Sequence, residues 1–146
     1  AGKAWGNPLS PLANYYFGSF RNNYVDNREE KRYREQESFP GFEIDQIAAR
    51  SFGKLMGEIN LPPIRFAEVG APVLFLSSLR PALFGGIMRT RDPLGDGNRY
   101  RTIGGQLDLN FTVAMRLPMI ISVGAARGYA NGERARTETM ISLKIL

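Results

Sequence analysis

Between residues 102 and 116 the chain alternates between two chemistries with one lapse. Ile103, Gly105, Leu107, Leu109, Phe111, Val113 and Met115 are apolar or small. Thr102, Gly104, Gln106, Asp108, Asn110, Thr112 and Arg116 are mostly polar, and Ala114 breaks the pattern. A period of two predicts a strand with one apolar and one polar face. Strands of soluble domains usually run about 5–6 residues, whereas a tilted strand crossing a bilayer needs about 9–11. A 15-residue alternation therefore asks whether its apolar side looks at a protein core or at hydrocarbon.

The 146 residues suit one domain or part of a larger one, and 43% hydrophobic with 23% charged residues is the balance of a folded chain. There is no cysteine and no histidine. Disulfides, thiolate metal sites and cysteine nucleophiles are thereby excluded, together with the commonest catalytic base. The net charge of +5 raises nucleic acid or an anionic membrane surface as partners. Arg28, Lys31, Arg32 and Arg34 form the densest basic cluster, but Glu29, Glu30 and Glu35 interrupt it. It reads as a solvated mixed-charge loop, and no nucleic-acid partner is expected. No apolar run is long enough for a transmembrane helix, and no signal peptide is visible. Barrel strands need neither, because their signal is weak and alternating.

Along the chain, residues 1–13 read as an irregular leading segment and residues 14–146 as a β-rich unit. A first strand is predicted from Tyr15 to about Val25. Residues 26–46 are charged, end in Phe39-Pro40-Gly41-Phe42, and are long enough to be a functional loop. A second strand is predicted over Ile47–Leu61, stopped by Pro62-Pro63. A helix there is disfavoured by Gly53 and Gly57, at about 0.8–1.0 kcal/mol each. A third strand spans Val73–Met88, with Pro81 implying a bulge or break. Residues 89–101 form a polar loop, 102–116 the fourth strand, and Leu117-Pro118 a short turn. Met119 to about Tyr129 is the fifth strand, 130–136 a polar loop and 137–146 the sixth strand. Connections at 26–46, 89–101 and 130–136 are polar and mostly long, and those at 62–72 and 117–118 are shorter and contain proline. Transmembrane barrels sort their loops in this way.

One face gathers Lys54, Glu58, Gln106, Asp108, Asn110, Thr112, Arg116, Glu138 and Lys144. In a soluble sheet this is the wet side; in a membrane barrel it is the lumen. The other face gathers Ile103, Leu107, Leu109, Phe111, Val113, Ile121, Val123, Ile141, Leu143 and Ile145, which the barrel reading turns towards lipid. Strand length and loop sorting favour the barrel. Trp5, Tyr15, Tyr16, Tyr100 and Tyr129 lie near predicted strand ends, as interfacial aromatics would. No catalytic, cofactor or metal site is expected. Asp92, Asp96 and Asn98 around Gly95 and Gly97 superficially suggest a calcium loop, but the closing bidentate acid is missing and a turn is the simpler reading. Glu29, Glu30, Glu35 and Glu37 have nothing to bury them as an acid–base pair. Gly104-Gly105 lacks the helix that a dinucleotide fingerprint requires.

Four stretches together resemble the C-terminal barrel half of the bacterial surface antigen superfamily, the BamA and TamA type of outer-membrane barrel. Glu58-Ile59-Asn60-Leu61-Pro62 is similar to its acidic strand ending in a proline turn. Leu79-Arg80-Pro81-Ala82-Leu83-Phe84, leading to Gly85-Gly86, is similar to the following strand. Gly104-Gly105-Gln106-Leu107-Asp108-Leu109 resembles its penultimate hairpin, and Ala126-Arg127-Gly128-Tyr129 the partner strand. The resemblance covers about residues 14–146 and puts 26–46 at the place of the family's long inward-folding loop. Phe39-Pro40-Gly41-Phe42 also resembles barrels fused behind TolB-like propellers, the Tol-type biopolymer transporters. The chain departs from the family at two points. Lys31-Arg32-Tyr33 stands where the inward loop carries an Arg-Gly-aromatic motif, and Leu146 stands where an aromatic usually closes the last strand.

The fold class expected is all-β, an antiparallel meander of about six long strands forming part of a transmembrane β-barrel. Single-chain barrels begin at about eight strands, so the rest of the wall is expected from a longer precursor or from other chains. The resemblance implies a bacterial outer-membrane location, with lipid or lipopolysaccharide as a partner. It implies a non-enzymatic role in anchoring or scaffolding a surface complex, or else in protein insertion or transport. The missing arginine motif favours anchoring. The rival from another class is a soluble lipocalin-like or sandwich protein, with a ligand cavity lined by Leu107, Leu109, Phe111 and Val113.

Overall fold

The computed structural model describes residues 1–3, 14–20, 31–67, 69–71, 73–91, 97–114 and 116–145. The fold is all-β and antiparallel. Its main sheet carries five strands of ten or more residues in chain order: β4 (Ser51–Asn60), β7 (Leu74–Arg91), β8 (Gly97–Val113), β9 (Leu117–Ala130) and β10 (Glu133–Ile145). A two-residue strand, β1 (Gly2–Lys3), pairs with the start of β4. Two more short strands, β5 (Ile64–Arg65) and β6 (Gly70–Ala71), fold back onto the start of β7. A separate two-stranded sheet joins β2 (Tyr15–Phe17) to β3 (Ile47–Ala49). The main sheet is not closed: β4 and β10 are its outer long strands and do not pair with each other.

Several predicted boundaries are corrected. The first strand stops at Phe17, because Gly18 and Ser19 take positive φ values of 153° and 60° and turn the chain. Residues 21–25, its expected continuation, lie outside the described residues. The second strand is split at Arg50 into β3 and β4, which belong to different sheets. Pro81 interrupts nothing. Its carbonyl accepts from the Leu61 N–H just past the end of β4. A strand residue presents N–H and C=O to the same side, so the missing proline donor falls where β4 has ended. The bulge lies instead between Leu76 and Ser78.

The loop sorting is also corrected. β7 and β8 extend to Arg91 and from Gly97, leaving only 92–96 of the predicted 89–101 loop. β9 and β10 meet through Asn131-Gly132, with φ of 50° and 95°, the signature of a two-residue type I′ hairpin. Leu117-Pro118 belongs to β9, and Ala114, with φ 50°, and Arg116 stand in the turn before it. Arg116 therefore stands in a turn rather than on the polar face. The longest connection between long-strand neighbours is 61–73, on the side expected to be short.

The ladder aligns side chains into rows across all five long strands. Glu58 faces Phe84, Phe84 faces Gly104, and Gly104 faces Ala126, which in turn faces Glu138. Residues 31–46 lie against this face, which we call the packed face. Its aromatic core comprises Phe17, Phe20, Tyr33, Phe39 and Phe42 with Phe52 and Phe84 of the sheet. A fully buried ring of this size stabilises by about 1.5–3 kcal/mol. Tyr33 stacks on Phe84 at 4.2 Å, and Phe20 meets the same ring edge-on at 5.8 Å.

Glycine clears the space for those rings. A Cβ on Gly104 would stand 2.5 Å from the Ala125 carbonyl and 2.6 Å from the Phe84 ring, while one on Gly53 would touch nothing within 4 Å. Gly104→Val should therefore destabilise the fold by about 1–3 kcal/mol through overpacking. Gly53→Ala should be neutral or stabilising by up to about 1 kcal/mol. Urea titration of the two variants in detergent micelles checks this, and equal midpoints would contradict the packing described.

Candidate functional site

The two faces of the main sheet divide the chemistry as the alternation predicted. Lys54, Gln106, Asp108, Asn110, Thr112, Glu138 and Lys144 fall on the packed face, buried or half-buried, and Glu58 joins them from the edge strand. Ile103, Leu107, Leu109, Val113, Ile121, Val123, Ile141, Leu143 and Ile145 fall on the opposite, open face, exposed or half-buried. Phe111 departs from its group. It pairs with Leu76 beside the bulge, where the ladder is locally distorted, and it is buried.

On the packed face the charged residues hold the covering segment through its backbone. The Glu138 carboxylate accepts from the Ser19 hydroxyl at 2.5 Å, the Phe20 N–H at 3.0 Å and the Gly41 N–H at 2.8 Å. The Lys54 ammonium donates to three carbonyls, those of Glu35 at 3.1 Å, Gln36 at 3.0 Å and Ser38 at 2.5 Å. Thr102 donates its hydroxyl to the Pro40 carbonyl at 2.5 Å. Arg34 grips Glu58 with two guanidinium nitrogens, one at 2.8 Å. Bonds with an ionised partner are roughly twice as strong as neutral ones. Beside Glu58, burial and the neighbouring carboxylate charge push the Tyr33 hydroxyl well above the ordinary tyrosine range. Its ring therefore stays neutral against Phe84 in any ordinary buffer.

Phe39-Pro40-Gly41-Phe42 is the part of the segment that enters deepest. Gly41 has φ 93°, and a Cβ there would collide with the Gly128 backbone. Gly128 is reciprocally blocked by the Gly41 carbonyl and the Phe42 ring. Two backbones meet here at a separation that only glycine permits. The anchoring role of Glu138 towards residues 18–41 was not legible beforehand, since nothing local to β10 marks it. The Gly41 and Gly128 contact left a signal, a glycine inside a strand and another in a Phe-Pro-Gly-Phe run.

A second polar group lies further along the packed face. The fully buried Asp108 accepts at one oxygen from Gln106 Nε2 and from the Ser122 hydroxyl, each at 2.6 Å. Arg80 stands opposite Asp108 and donates to Asn110 at 3.0 Å. Of the calcium-like loop, Asp92 and Asp96 lie outside the described residues, and Asn98 accepts a hydrogen bond from Asn131. The expected interfacial aromatics separate. Tyr15 packs edge-on against Phe52 and Tyr100 against Phe42, both in the packed core, whereas Tyr129 lies on the open face. Trp5 lies outside the described residues.

No family model matches the chain, and no curated protein or solved structure is similar enough to it to count as a match.

Removing the Glu138 charge tests whether it holds the segment. Glu138→Gln replaces one acceptor oxygen by a donor facing backbone N–H groups, at about 1.5–3 kcal/mol per charged hydrogen bond lost. Tryptic cleavage after Lys31 and Arg34 in detergent micelles should accelerate about ten-fold or more. An unchanged rate would show that the aromatic contacts hold the segment alone.

Proposed function

We propose that this chain forms part of the wall of a bacterial outer-membrane β-barrel and serves as a membrane anchor or scaffold. The inversion of its two faces carries the reading. Asp108 and Gln106 are 0% and 1% exposed, while Ile141 and Leu55, on the other face, are 80% and 68% exposed. Water-soluble monomers rarely leave a contiguous apolar surface of this kind uncovered. A hydrocarbon solvent reverses the preference, so apolar side chains face outwards and polar ones inwards.

The dimensions agree. Ile103 to Val113 spans ten steps of β8, or roughly 34 Å at about 3.4 Å per residue. Tilted by about 35–45°, that span covers roughly 24–28 Å of depth, against an apolar band about 25 Å tall in such barrels. β1 covers only Ser51 and Phe52 on the outer side of β4, and among the described residues no strand pairs with the outer side of β10, so further strands are called for, because backbone groups at a sheet edge are costly in lipid. Those strands would come from a longer polypeptide or from other chains, as the resemblance to surface antigen barrels implies. Anchoring is favoured over passage of a cargo because residues 31–46 occupy the inner face through ionic contacts from both β4 and β10. The lipocalin-like alternative needs Leu107 to line an enclosed cavity, and Leu107 is exposed on the face away from the segment.

Fractionation of the source cells with intact-mass identification tests the location. Recovery in the detergent-extracted outer membrane is expected, and recovery in a soluble fraction without detergent would overturn the reading. Substitution adds a position-specific test. Ile141→Arg should destabilise the folded state in lipid by about 2–4 kcal/mol near the mid-plane, whereas Thr139→Ser on the same face should change little. Urea titration in phosphatidylcholine vesicles reads the difference, and a neutral Ile141→Arg would place that face in water.

A further inference from the structure

The open face is not apolar throughout. At the end bearing the β7–β8 and β9–β10 hairpins, Arg89, Arg91, Arg99, Arg101 and Arg127 all project from it and are exposed. Arg89 stands directly opposite Arg99, and Arg101 is two residues further along the same face. Like charges directly opposed across a ladder repel, and among the described residues none of the five forms an ion pair. An anion placed between them would relieve that repulsion.

Directly below the arginines lies a depression of about 620 Å³. Its floor is the cross-strand pair Gly57 and Gly85, where a Cβ would meet nothing closer than 3.6 Å. Leu55, Ile87 and Ile103 wall it, and Arg101 and Tyr129 stand at its upper rim. An apolar trench thus opens straight under a cluster of guanidinium groups. That is the complement of an amphiphile with a phosphate head and a hydrocarbon tail, since arginine matches phosphate geometry bidentately.

Resting on the membrane reading above, we infer that this corner of the open face binds a phosphorylated, anionic membrane lipid, with the phosphate among Arg89, Arg99 and Arg101 and one acyl chain along Gly57 and Gly85. The two halves of the site act differently. The arginines supply attraction to the headgroup, and the glycines supply room for the tail. Arg91 and Arg127 flank the site and widen the positive field.

The test uses the full chain in dodecyl maltoside micelles, with lipid A as the phosphorylated probe and phosphatidylcholine as the zwitterionic one, and lipid retention read by native mass spectrometry. The chain should retain lipid A in preference to phosphatidylcholine. Arg89→Gln with Arg101→Gln should weaken lipid A retention about 30-fold, at roughly five-fold for each arginine near an anionic surface. The corresponding lysine pair should keep most of it. Gly85→Leu, which fills the trench, should also weaken retention while leaving the arginines in place. Circular dichroism confirms that each variant keeps its sheet. Equal retention of the two lipids, or lipid A retention indifferent to the glutamine pair, would overturn the inference. Displacement of lipid A by inorganic phosphate at equal concentration would do the same, because the tail would then contribute nothing. If the chain folds into phosphatidylcholine vesicles yet fails these tests, the lipid site falls and the membrane reading stands. If the protein is recovered in a soluble fraction without detergent, both fall.

Discussion

One carboxylate ties the two ends of this chain together. Glu138, on the outer long strand β10, collects donors from Ser19, Phe20 and Gly41, more than ninety residues away in sequence. At the opposite edge of the same face, Lys54 gathers three carbonyls of the same segment. Between these two ionic anchors the segment is pressed against Phe84, Thr102 and Gly128, and the aromatic core forms in the space they define. The two anchors are complementary. The anion satisfies backbone donors and the cation satisfies backbone acceptors, and an irregular segment leaves both kinds unpaired.

The polar residues of the packed face therefore carry a structural load that apolar ones could not. A leucine at 138 or 54 would leave the segment's buried N–H and C=O groups without partners, at about 1–3 kcal/mol each. This explains why the covered side of the sheet keeps Lys54 and Glu138. The glycines complete the arrangement, since Gly41 and Gly128 let two backbones touch and Gly104 admits the Phe84 ring.

Much of the sheet was legible in the sequence, because a period of two needs only local chemistry to be seen. The alternation around Gln106, Asp108 and Asn110 set β8 and the faces of its neighbours correctly. Boundaries were less legible. The positive φ at Ser19 depends on contacts with distant chain, and the tight Asn131-Gly132 hairpin was hidden among polar neighbours that resembled a longer loop. Pro81 misled because its fault lay in the expected neighbour strand, which ends too early to need its donor. Phe111 had the right period but lies where a bulge redirects the ladder. The dependence of residues 31–46 on Glu138 could not be read beforehand, since a single glutamate in a strand carries no mark of what it will meet.

The two anchors also differ in when they can act. Lys54 lies 16 residues beyond Ser38, so that contact closes a short loop. Glu138 lies 97 residues beyond Gly41 and becomes available only after the last hairpin has formed. Loop-closure entropy makes the near contact the earlier one. The Lys54 contact is therefore the cheaper of the two to close and the Glu138 contact the dearer. β10 thus acts as a latch, and without Glu138 the aromatic segment would be held by one hand only.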